Sequence, residues 1–206
     1  MFLYMHKYLK SQIKVVWIAT NKTLIDELQS NGFTAFYKWS FKGIINTIRA
    51  KVVIVSHGSN DINQYLTSGF TINLWHGVPL KKIGYSNLNP NSFSFRIHNS
   101  KGLRRFYYRI VCAGQLRKAD LLLATTETYA NIFINDFDYK RKNIVIGSYP
   151  RNDFLIERLE GEEIGTDRQL IKIIKQKREN GVKILLYMPT FRDTGDSEFD
   201  DILKTM

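Results

Sequence analysis

The sequence is short of cysteine and of long apolar runs. Cys112 is the only cysteine, so no internal disulfide framework can form, which is typical of a protein folded in a reducing cytoplasm. We interpret Cys112 as a small buried hydrophobic residue. No apolar run approaches the roughly 20 residues that a membrane-spanning helix needs. The sequence therefore predicts neither a disulfide scaffold nor a chain threaded through a bilayer.

Two common phosphate-binding motifs and the usual metal-ligand spacings are also absent from the sequence. There is no GxGxxG pattern and no Walker loop, so dinucleotide and P-loop interpretations lack support. No cluster of His, Cys, Asp or Glu has the spacing of a metal site, and we predict no metal and no cofactor. Lysines and arginines would then have to neutralise any phosphate that the protein handles.

Acidic residues are missing altogether between Ile62 and Ala119, whereas basic residues are frequent there. The 206 residues include 30 Lys and Arg against 19 Asp and Glu, which gives a formal net charge of +11. Such a surplus favours a polyanionic partner, which can be nucleic acid, an anionic membrane or a phosphate-rich substrate. The basic residues of this segment are Lys81, Lys82, Arg96, Lys101, Arg104, Arg105, Arg109, Arg117 and Lys118.

The later part of this basic segment predicts an amphipathic helix. Leu103, Phe106, Tyr107, Ile110 and Val111 follow helical spacing with arginines interleaved, as is typical of a helix lying in a membrane interface. Two alternatives stay open: an amphipathic helix packed on a sheet, and a nucleic-acid surface. No RNA- or DNA-binding motif is visible, and we predict no nucleic-acid partner. The predicted membrane-binding residues are Arg104, Arg105, Phe106, Tyr107 and Arg109.

Short apolar runs of strand length alternate with segments of helical spacing. The runs begin at Val15, Phe33, Lys51, Phe70, Asp120 and Asn143. This alternation predicts an α/β fold with a Rossmann-like parallel sheet flanked by helices. Between the first two runs, Leu24, Ile25 and Leu28 predict a short helix that stops at Asn31-Gly32.

Composition divides the chain into three predicted parts. Residues 1–155 are expected to form the Rossmann-like domain, and the charged residues 156–180 a linker with a basic helix around residues 171–177. Residues 181–206 begin with an apolar strand that leads into a Pro-Thr-Phe-Arg-Asp loop. A first strand without a sheet to join predicts the start of an incomplete second domain.

Polar residues follow most of the predicted strands, at the edge where a parallel sheet binds its ligands. They are Ser56-His57-Gly58, His76-Gly77, Thr125-Thr126-Glu127, Tyr149-Pro150-Arg151-Asn152-Asp153 and Pro189-Thr190-Phe191-Arg192-Asp193. We interpret His57 as a turn residue beside Gly58. His6 and His98 have no motif around them, and we expect them on the surface.

The stretch "NLWHGVPLKKIGY", residues 73–85, concentrates this chemistry. His76 can act as a general base or as a phosphate ligand, because a neutral imidazole accepts a proton near physiological pH. Gly77 lets a substrate approach the backbone, and Pro79 fixes the turn. Lys81 and Lys82 can hold a phosphate as point charges. A hydrogen-bonded strand-end histidine with two solvated lysines is the open alternative.

Three motifs resemble those of the CDP-glycerol glycerophosphotransferase family, which builds teichoic acids and related glycerol-phosphate or ribitol-phosphate capsule polymers. They are "NLWHGVPLKKIGY", "TTETYANIF" leading to "IVIGSYPRNDFL", and "LLYMPTFRD", in the family's order over roughly residues 52–193. The resemblance implies a glycosyltransferase-B-like architecture, in which two Rossmann-like halves face a cleft. This chain would supply the N-terminal, acceptor-side half in residues 1–155 and the beginning of the donor (CDP)-binding half in residues 181–206. It ends before the family's later histidine and serine motif, and we expect a truncated chain.

The resemblance also implies a reaction. A terminal hydroxyl of a lipid-linked polyol-phosphate acceptor attacks the β-phosphate of CDP-glycerol or a related CDP-polyol, and CMP is released. Phosphoryl transfer of this kind depends on positioning and charge neutralisation. The enzyme would lie as a peripheral protein on the cytoplasmic face of the cell membrane, on an anionic membrane surface.

Individual residues take roles from the same resemblance. His76 has the position of the catalytic base, and Lys81 and Lys82 steady phosphates of the acceptor. Arg192 and Asp193 lie near the donor. The remaining substrate-binding residues are expected to be Gly77, Pro79, Arg151, Asn152 and Asp153.

Two other functions stay open beside the polyol-phosphate transferase. One is a non-catalytic module that docks on anionic membrane or on lipid-linked polymer. The other is a sugar-nucleotide glycosyltransferase of the same fold, which would transfer a sugar instead of a polyol phosphate.

Overall fold

The computed structural model of the chain divides into two compact units, residues 1–165 and residues 166–206. It describes residues 1–57, 61–63, 65–79, 82–112, 116–156, 161 and 163–186. Several residues predicted to follow strands lie outside the described residues: Gly58, Lys81, Pro189, Thr190, Phe191, Arg192 and Asp193. The predicted domain limits, 1–155, 156–180 and 181–206, stay a prediction.

Parallel strands form the centre of the first unit. They are β1 Trp17–Ala19, β2 Ala35–Tyr37, β3 Val52–Val55, β4 Phe70–Asn73, β5 Leu121–Ala124 and β6 Ile144–Ile146. β1 pairs with β2, and the other four pair in the order β3-β4-β5-β6, with every pair parallel. Each strand lies within one of the six predicted apolar runs, so the predicted parallel α/β architecture is confirmed. The carboxyl ends of β3 to β6 therefore meet at one edge.

Helices provide most of the crossovers that parallel pairing requires. They are α1 Phe2–Leu9, α2 Lys22–Ser30, α3 Phe41–Arg49, α4 Phe93–Asn99, α5 Gly102–Val111 and α6 Glu127–Phe137 in the first unit, and α7 Arg168–Glu179 in the second. Side chains of Asn21, Ser40, Ser92 and Thr126 accept hydrogen bonds from the first turns of α2, α3, α4 and α6, which stabilises those helix ends. Short 3-10 turns occupy Gly84–Ser86, Arg141–Asn143 and Pro150–Leu155.

Among the described residues of the first unit, three small apolar clusters hold the strands and helices together. The most deeply buried cluster joins β5 and β6 to α6 and consists of Leu122, Ala124, Ala130, Phe133 and Ile144. A second joins α2 to β2, and a third lies on β3 with a side chain of β1 packed against it. Full burial of a Phe or Leu side chain stabilises a fold by about 1.5–3 kcal/mol. α6 is therefore fixed firmly to the sheet, directly beside the strand ends.

In the second unit, α7 is a basic helix that covers the residues where the sequence predicts one. Residues 182–186 have no regular secondary structure, so the predicted apolar strand is absent from the part of it that the structure describes. The remainder of that predicted strand lies outside the described residues. Among the helices of the described ranges, none combines the length and the apolar character needed to cross a bilayer.

Candidate active site

The loop after β4 places His76 on the exposed edge formed by the carboxyl ends of the strands. Its Nδ1 lies 3.1 Å from the carbonyl oxygen of Ser56, which follows β3. A carbonyl oxygen only accepts hydrogen bonds, so Nδ1 carries the proton and donates it to this bond. The Nε2 of the neutral ring then keeps its lone pair, which is the requirement for a base.

Two aromatic rings stack on His76. The centroid of the His57 ring lies 4.3 Å from that of His76 with an angle of 10° between the planes, and the Trp75 centroid lies 4.6 Å away at 25°. Trp75 makes edge contacts with Phe133 and Phe137 of α6. The His76 ring is thus connected through Trp75 to the most buried cluster of the unit.

The backbone before His76 is held in an unusual conformation. Trp75 has a φ of 58°, a left-handed value that a bulky residue rarely adopts and that costs on the order of 1–3 kcal/mol. The buried Asn73 stabilises this turn, because its Oδ1 accepts a hydrogen bond from the Trp75 N–H at 2.8 Å. The strained turn lets the chain leave the strand abruptly and present His76 at the edge.

Two residues after β6 bind the backbone of the His76 loop. Arg151 donates a hydrogen bond from Nη1 to the carbonyl oxygen of His76 at 2.8 Å, and the Tyr149 hydroxyl donates to the carbonyl oxygen of Gly77 at 3.1 Å. Burial raises the pKa of the Tyr149 hydroxyl, against a smaller opposite effect of the Arg151 guanidinium. Tyr149 therefore stays a protonated donor at neutral pH, and these bonds tie the ends of β4 and β6 together.

The loop that carries Lys82 is fixed to α6. Gly84 is buried with a left-handed φ of 54°, and a Cβ at this position would overlap the carbonyl oxygen of Asp136. The Ser86 hydroxyl donates a hydrogen bond to the buried Asp136 carboxylate. The exposed Lys82 side chain thus starts from a point anchored two residues further along.

The structure brings some of the predicted substrate-binding residues together and leaves others apart. His76, Gly77 and Arg151 meet, since the Arg151 Nη2 lies 3.7 Å from the point that a Cβ on Gly77 would occupy. Within the described residues, the side chains of Asn152 and Asp153 form no hydrogen bond or ion pair with His76.

Asp153 instead lies close enough to the chain's N-terminus to affect its charge. Burial lowers the pKa of the N-terminal amino group, and the Asp153 carboxylate partly opposes this effect.

The histidines outside the main motif differ from their sequence-based interpretation. His57 stacks on His76 and is more than a turn residue. His98 is partly buried and makes edge contacts with Tyr85 and Phe137. His6 is likewise partly buried and contacts Phe2 and Phe33, so both histidines are less exposed than the surface positions predicted for them. Ring contacts of this kind join residues distant in sequence, and no local motif announces them.

Asp61 is a contributor that sequence reasoning missed. Its Oδ2 accepts hydrogen bonds from the backbone N–H groups of Ser56 at 2.6 Å and of His57 at 2.8 Å. Its position in the sequence could have indicated this role, because Asp61 closely follows a predicted strand end and is the last acidic residue before the acid-free segment. Aspartates in such turns commonly accept hydrogen bonds from nearby backbone N–H groups.

The polar residues Thr126 and Glu127, which follow β5, have structural roles. Thr126 caps α6, and the exposed Glu127 forms an ion pair with Arg141 in which Oε1 lies 2.5 Å from Nη2. Among the described residues, no group of three or more His, Cys, Asp or Glu is placed to hold a metal ion.

α5 exposes its apolar stripe together with its arginines. Leu103 is 90% exposed and Phe106 64%, and Tyr107, Ile110 and Val111 are also more than half exposed. Tyr108, the buried residue of this helix, packs edge-on against Phe93. The stripe is therefore not packed on the sheet, which was one of the alternatives left open by the sequence.

The sheet topology and the exposed strand-end histidine define a Rossmann-like α/β protein with a candidate acid–base site at the carboxyl edge. The chain belongs to the CDP-Glycerol:Poly(glycerophosphate) glycerophosphotransferase family, whose profile matches residues 1–203. The predicted family membership is thereby confirmed. Members of this family are transferases.

Curated relatives agree with this assignment. The chain is 32% identical over 122 residues to a teichoic acid poly(glycerol phosphate) polymerase of Bacillus spizizenii, over 59% of this chain and 27% of the relative. It is 26% identical over 184 residues to a teichoic acid glycerol-phosphate transferase of Staphylococcus aureus, over 89% of this chain and 44% of the relative. The chain thus spans less than half the length of these relatives.

Solved structures of the wall teichoic acid polymerase TagF share the fold. A TagF variant soaked with CDPG superimposes with a TM-score of 0.62 at 19% identity, over 98% of this chain and 48% of that chain. TagF itself gives a TM-score of 0.57 at 18% identity, over 93% and 43%. The predicted fold class, a Rossmann-like sheet of glycosyltransferase-B-like type, is confirmed.

Proposed function

We propose that this chain takes part in the transfer of glycerol phosphate, or a similar polyol phosphate, from a CDP-polyol to a lipid-linked teichoic-acid or capsule acceptor, with release of CMP. The observation that carries the proposal is the orientation of His76, whose Nδ1 is engaged by the Ser56 carbonyl while the exposed ring keeps Nε2 as an acceptor. Membership of the glycerophosphotransferase family supports the choice of reaction.

The chemistry requires one base and several positive charges. The oxygen of the acceptor's terminal hydroxyl forms a bond to the β-phosphorus, the bond between that phosphorus and the bridging oxygen breaks, and CMP leaves with the bridging oxygen. The hydroxyl proton passes to Nε2 of His76. A positioned base of this kind contributes about 100- to 10,000-fold to a rate.

Positive charge at the site would come from Lys82 and Arg151. Arg151 uses Nη1 to bind the His76 backbone, and a guanidinium has five N–H donors in all. Lys82 extends from the loop anchored on α6. From the family resemblance we also propose Gly77, Pro79, Lys81, Asn152 and Asp153 as substrate contacts, with Arg192 and Asp193 near the donor.

We further propose that α5 lies on an anionic membrane surface and keeps the protein peripheral on the cytoplasmic face. The exposed stripe through Phe106 and Tyr107 provides the apolar contact, and Arg104, Arg105 and Arg109 provide the charge. Aromatic and basic residues on one exposed helix suit the boundary between headgroups and acyl chains. The same face supports the second candidate function, a non-catalytic module that binds membrane or lipid-linked polymer.

The decisive experiment measures CMP release by the purified chain with CDP-glycerol and a lipid-linked glycerol-phosphate acceptor. Where the wild-type chain releases CMP, we expect His76→Gln to slow the release by about 100- to 10,000-fold, because Gln cannot take the proton. Binding to acceptor-bearing vesicles should survive this substitution. The matched control is His6→Gln, at a histidine of α1 that contacts Phe33 and forms none of the contacts described around His76.

Each outcome separates two functions. Undiminished release by His76→Gln removes His76 from the mechanism. Absence of release by the wild-type chain, with binding to acceptor-bearing vesicles retained, favours the binding module. Competition between CDP-glycerol and sugar nucleotides for the donor distinguishes polyol-phosphate transfer from sugar transfer.

A further inference from the structure

We infer that Asp61 is a positioning residue for His76 and acts on it through the peptide group between Ser56 and His57. The inference rests on the proposed role of His76 as the base. It assigns a task to a carboxylate that does not touch the imidazole ring and that no catalytic motif of the sequence includes.

The peptide group between Ser56 and His57 is hydrogen-bonded at both ends. Its N–H, which belongs to His57, donates to Asp61 Oδ2 at 2.8 Å. Its carbonyl oxygen, which belongs to Ser56, accepts from Nδ1 of His76 at 3.1 Å. A continuous chain of hydrogen bonds therefore runs from the Asp61 carboxylate through one peptide to the base.

Such a chain strengthens its own members. A carboxylate that accepts a hydrogen bond from a peptide N–H shifts electron density within that peptide onto its carbonyl oxygen, which makes the oxygen a stronger acceptor. Condensed-phase estimates of this cooperativity are about 10–30% per bond. The Nδ1–H of His76 is held more firmly as a result. When Nε2 takes a proton, the negative end of the chain also stabilises the imidazolium, as the aspartate of a Ser-His-Asp triad does by direct contact.

The same carboxylate also fixes the geometry of the turn. Oδ2 of Asp61 accepts from the Ser56 N–H at 2.6 Å in addition to the His57 N–H, so one oxygen holds two successive peptide groups at the start of the turn after β3. The Asp61 side chain is only 28% exposed, which shields these bonds from competing water. The orientation of the Ser56 carbonyl toward His76 follows from this double contact.

A second set of contacts runs beside the first and leads to a different ring. The Ser56 hydroxyl lies 3.3 Å from Asp61 Oδ2 and 2.8 Å from Nδ1 of His57. Among the residues that the structure describes, the charged and titratable groups joined to His76 or its loop by the contacts given above are Asp61 and His57 after β3, with Arg151 and Tyr149 after β6. Of these groups, Asp61 is the one that is linked to Nδ1 by hydrogen bonds.

The test reads the tautomer of His76 by long-range ¹H–¹⁵N NMR of the whole 206-residue chain at a pH where its imidazoles are neutral. In the wild-type protein we expect the Nδ1–H tautomer. Asp61→Asn removes the charge at nearly constant shape, and we expect it to lower the ratio of Nδ1–H to Nε2–H tautomer by about three- to tenfold. A purely structural aspartate would leave this ratio unchanged as long as the fold is intact.

Two controls isolate the route. Asp120→Asn makes the same change at an aspartate whose Oδ2 also accepts a backbone N–H, from Thr71 at 2.7 Å, at the opposite edge of the sheet, and we expect no change of tautomer. Ser56→Ala removes the hydroxyl and keeps the peptide, so the ratio should stay at its wild-type value. Asp61→Glu keeps the charge and should restore part of the ratio lost in Asp61→Asn. If Asp61→Asn fails to fold, Asp61→Ser replaces it, because it also removes the charge and the same loss of the ratio is expected.

Three results would overturn the inference: a wild-type His76 with the proton on Nε2, an Asp61→Asn variant with an unchanged tautomer ratio, or an equal loss of the ratio in Ser56→Ala. No part of the measurement uses CDP-glycerol. A chain without transferase activity can therefore still confirm the link between Asp61 and His76, and a failed link leaves the base role of His76 open to its own test.

Discussion

Trp75 connects the strain of the His76 turn to the packing of the core. Its left-handed φ is unfavourable, yet its ring contacts both His76 and the aromatic residues of α6. The Asn73 side chain offsets part of the backbone cost through its bond to the Trp75 N–H. We therefore expect the geometry of the site to depend on Asn73, which is buried and is not among the proposed substrate contacts.

Replacing Asn73 by Ala tests this dependence. The substitution leaves the Trp75 N–H without its side-chain acceptor in a partly buried turn, and we expect the free energy of unfolding to fall by about 1–3 kcal/mol. Urea denaturation followed by tryptophan fluorescence measures the change. Asn89→Ala is the matched control, because Asn89 accepts the N–H of Asn91 in the same i to i+2 pattern at an exposed position.

Loss at that exposed control is expected to stay within about 0.5 kcal/mol. Equal losses of unfolding free energy in the two variants would show that the Asn73 bond stabilises its turn no more than the exposed Asn89 bond stabilises its own.

The contact between the post-histidine loop and α6 decides where Lys82 is presented. Gly84 and Gly102 have nearly the same left-handed conformation, with φ of 54° and 55°. They differ in surroundings, because a Cβ on Gly84 would overlap Asp136 while a Cβ on Gly102 meets nothing within 4 Å. The pair therefore separates the conformational cost of a side chain from its steric cost.

Gly102→Ala is expected to lower the free energy of unfolding by about 1 kcal/mol, the usual cost of a left-handed non-glycine residue. Gly84→Ala should lose roughly 1–3 kcal/mol more, because the loop must move away from the Asp136 carbonyl oxygen. Differential scanning calorimetry of the two variants gives the difference. Equal transition temperatures would contradict the close approach of the loop to α6.

The strands were predictable from the sequence, because each rests on a local apolar run. β5, with Leu121 to Ala124, is apolar throughout although only Leu122 and Ala124 are fully buried, and its run needs no distant partner to be recognised. The edge location of His76 followed from the same reasoning. By contrast, the contact of Gly84 with Asp136 joins residues 52 positions apart, and nothing in either neighbourhood specifies it.

The predicted residues that the structure brings together stood at strand ends. His76 and Arg151 were both named from the sequence, and Arg151 donates a hydrogen bond to the backbone carbonyl of His76. Tyr149 stood at the same strand end as Arg151, but nothing local specified its bond to the carbonyl of Gly77. Asp61 acts through backbone N–H groups, so residue type and spacing carried little information about it. Stacking of His57 on His76 likewise depends on how two loops pack.

The net positive charge of the whole chain favours its binding to anionic surfaces. With a formal net charge of +11, the protein is attracted to anionic surfaces in any orientation, whereas α5 offers arginines and exposed apolar side chains together. The two contributions respond differently to salt, because charges more than about 10 Å apart are screened at 0.1 M ionic strength and apolar contact is not.

Co-sedimentation with vesicles measures both contributions. We expect binding to phosphatidylglycerol-containing vesicles and little binding to phosphatidylcholine alone. Changing Arg104, Arg105 and Arg109 to Gln should weaken binding by about 100-fold, at about 1 kcal/mol for each basic residue near the surface. The control of equal charge changes Lys10, Lys14 and Lys142 to Gln, away from α5.

Binding that ignores anionic lipid would contradict membrane docking. An equal loss in the lysine control would show that net charge alone, and not the face of α5, drives attraction.

The order of the strands along the chain also determines which step of folding completes the site. Ile72 of β4 pairs with Leu121 of β5, 49 positions later, whereas β3 and β4 are in register only 18 positions apart. Closing the longer loop costs about 0.9 kcal/mol more, because more chain entropy is lost. His76 follows β4, while its partners Tyr149 and Arg151 follow β6. His76 therefore precedes the loop that the pairing of β4 with β5 must close, and Tyr149 and Arg151 come after it in the chain. This is the longest loop among the described strand pairings.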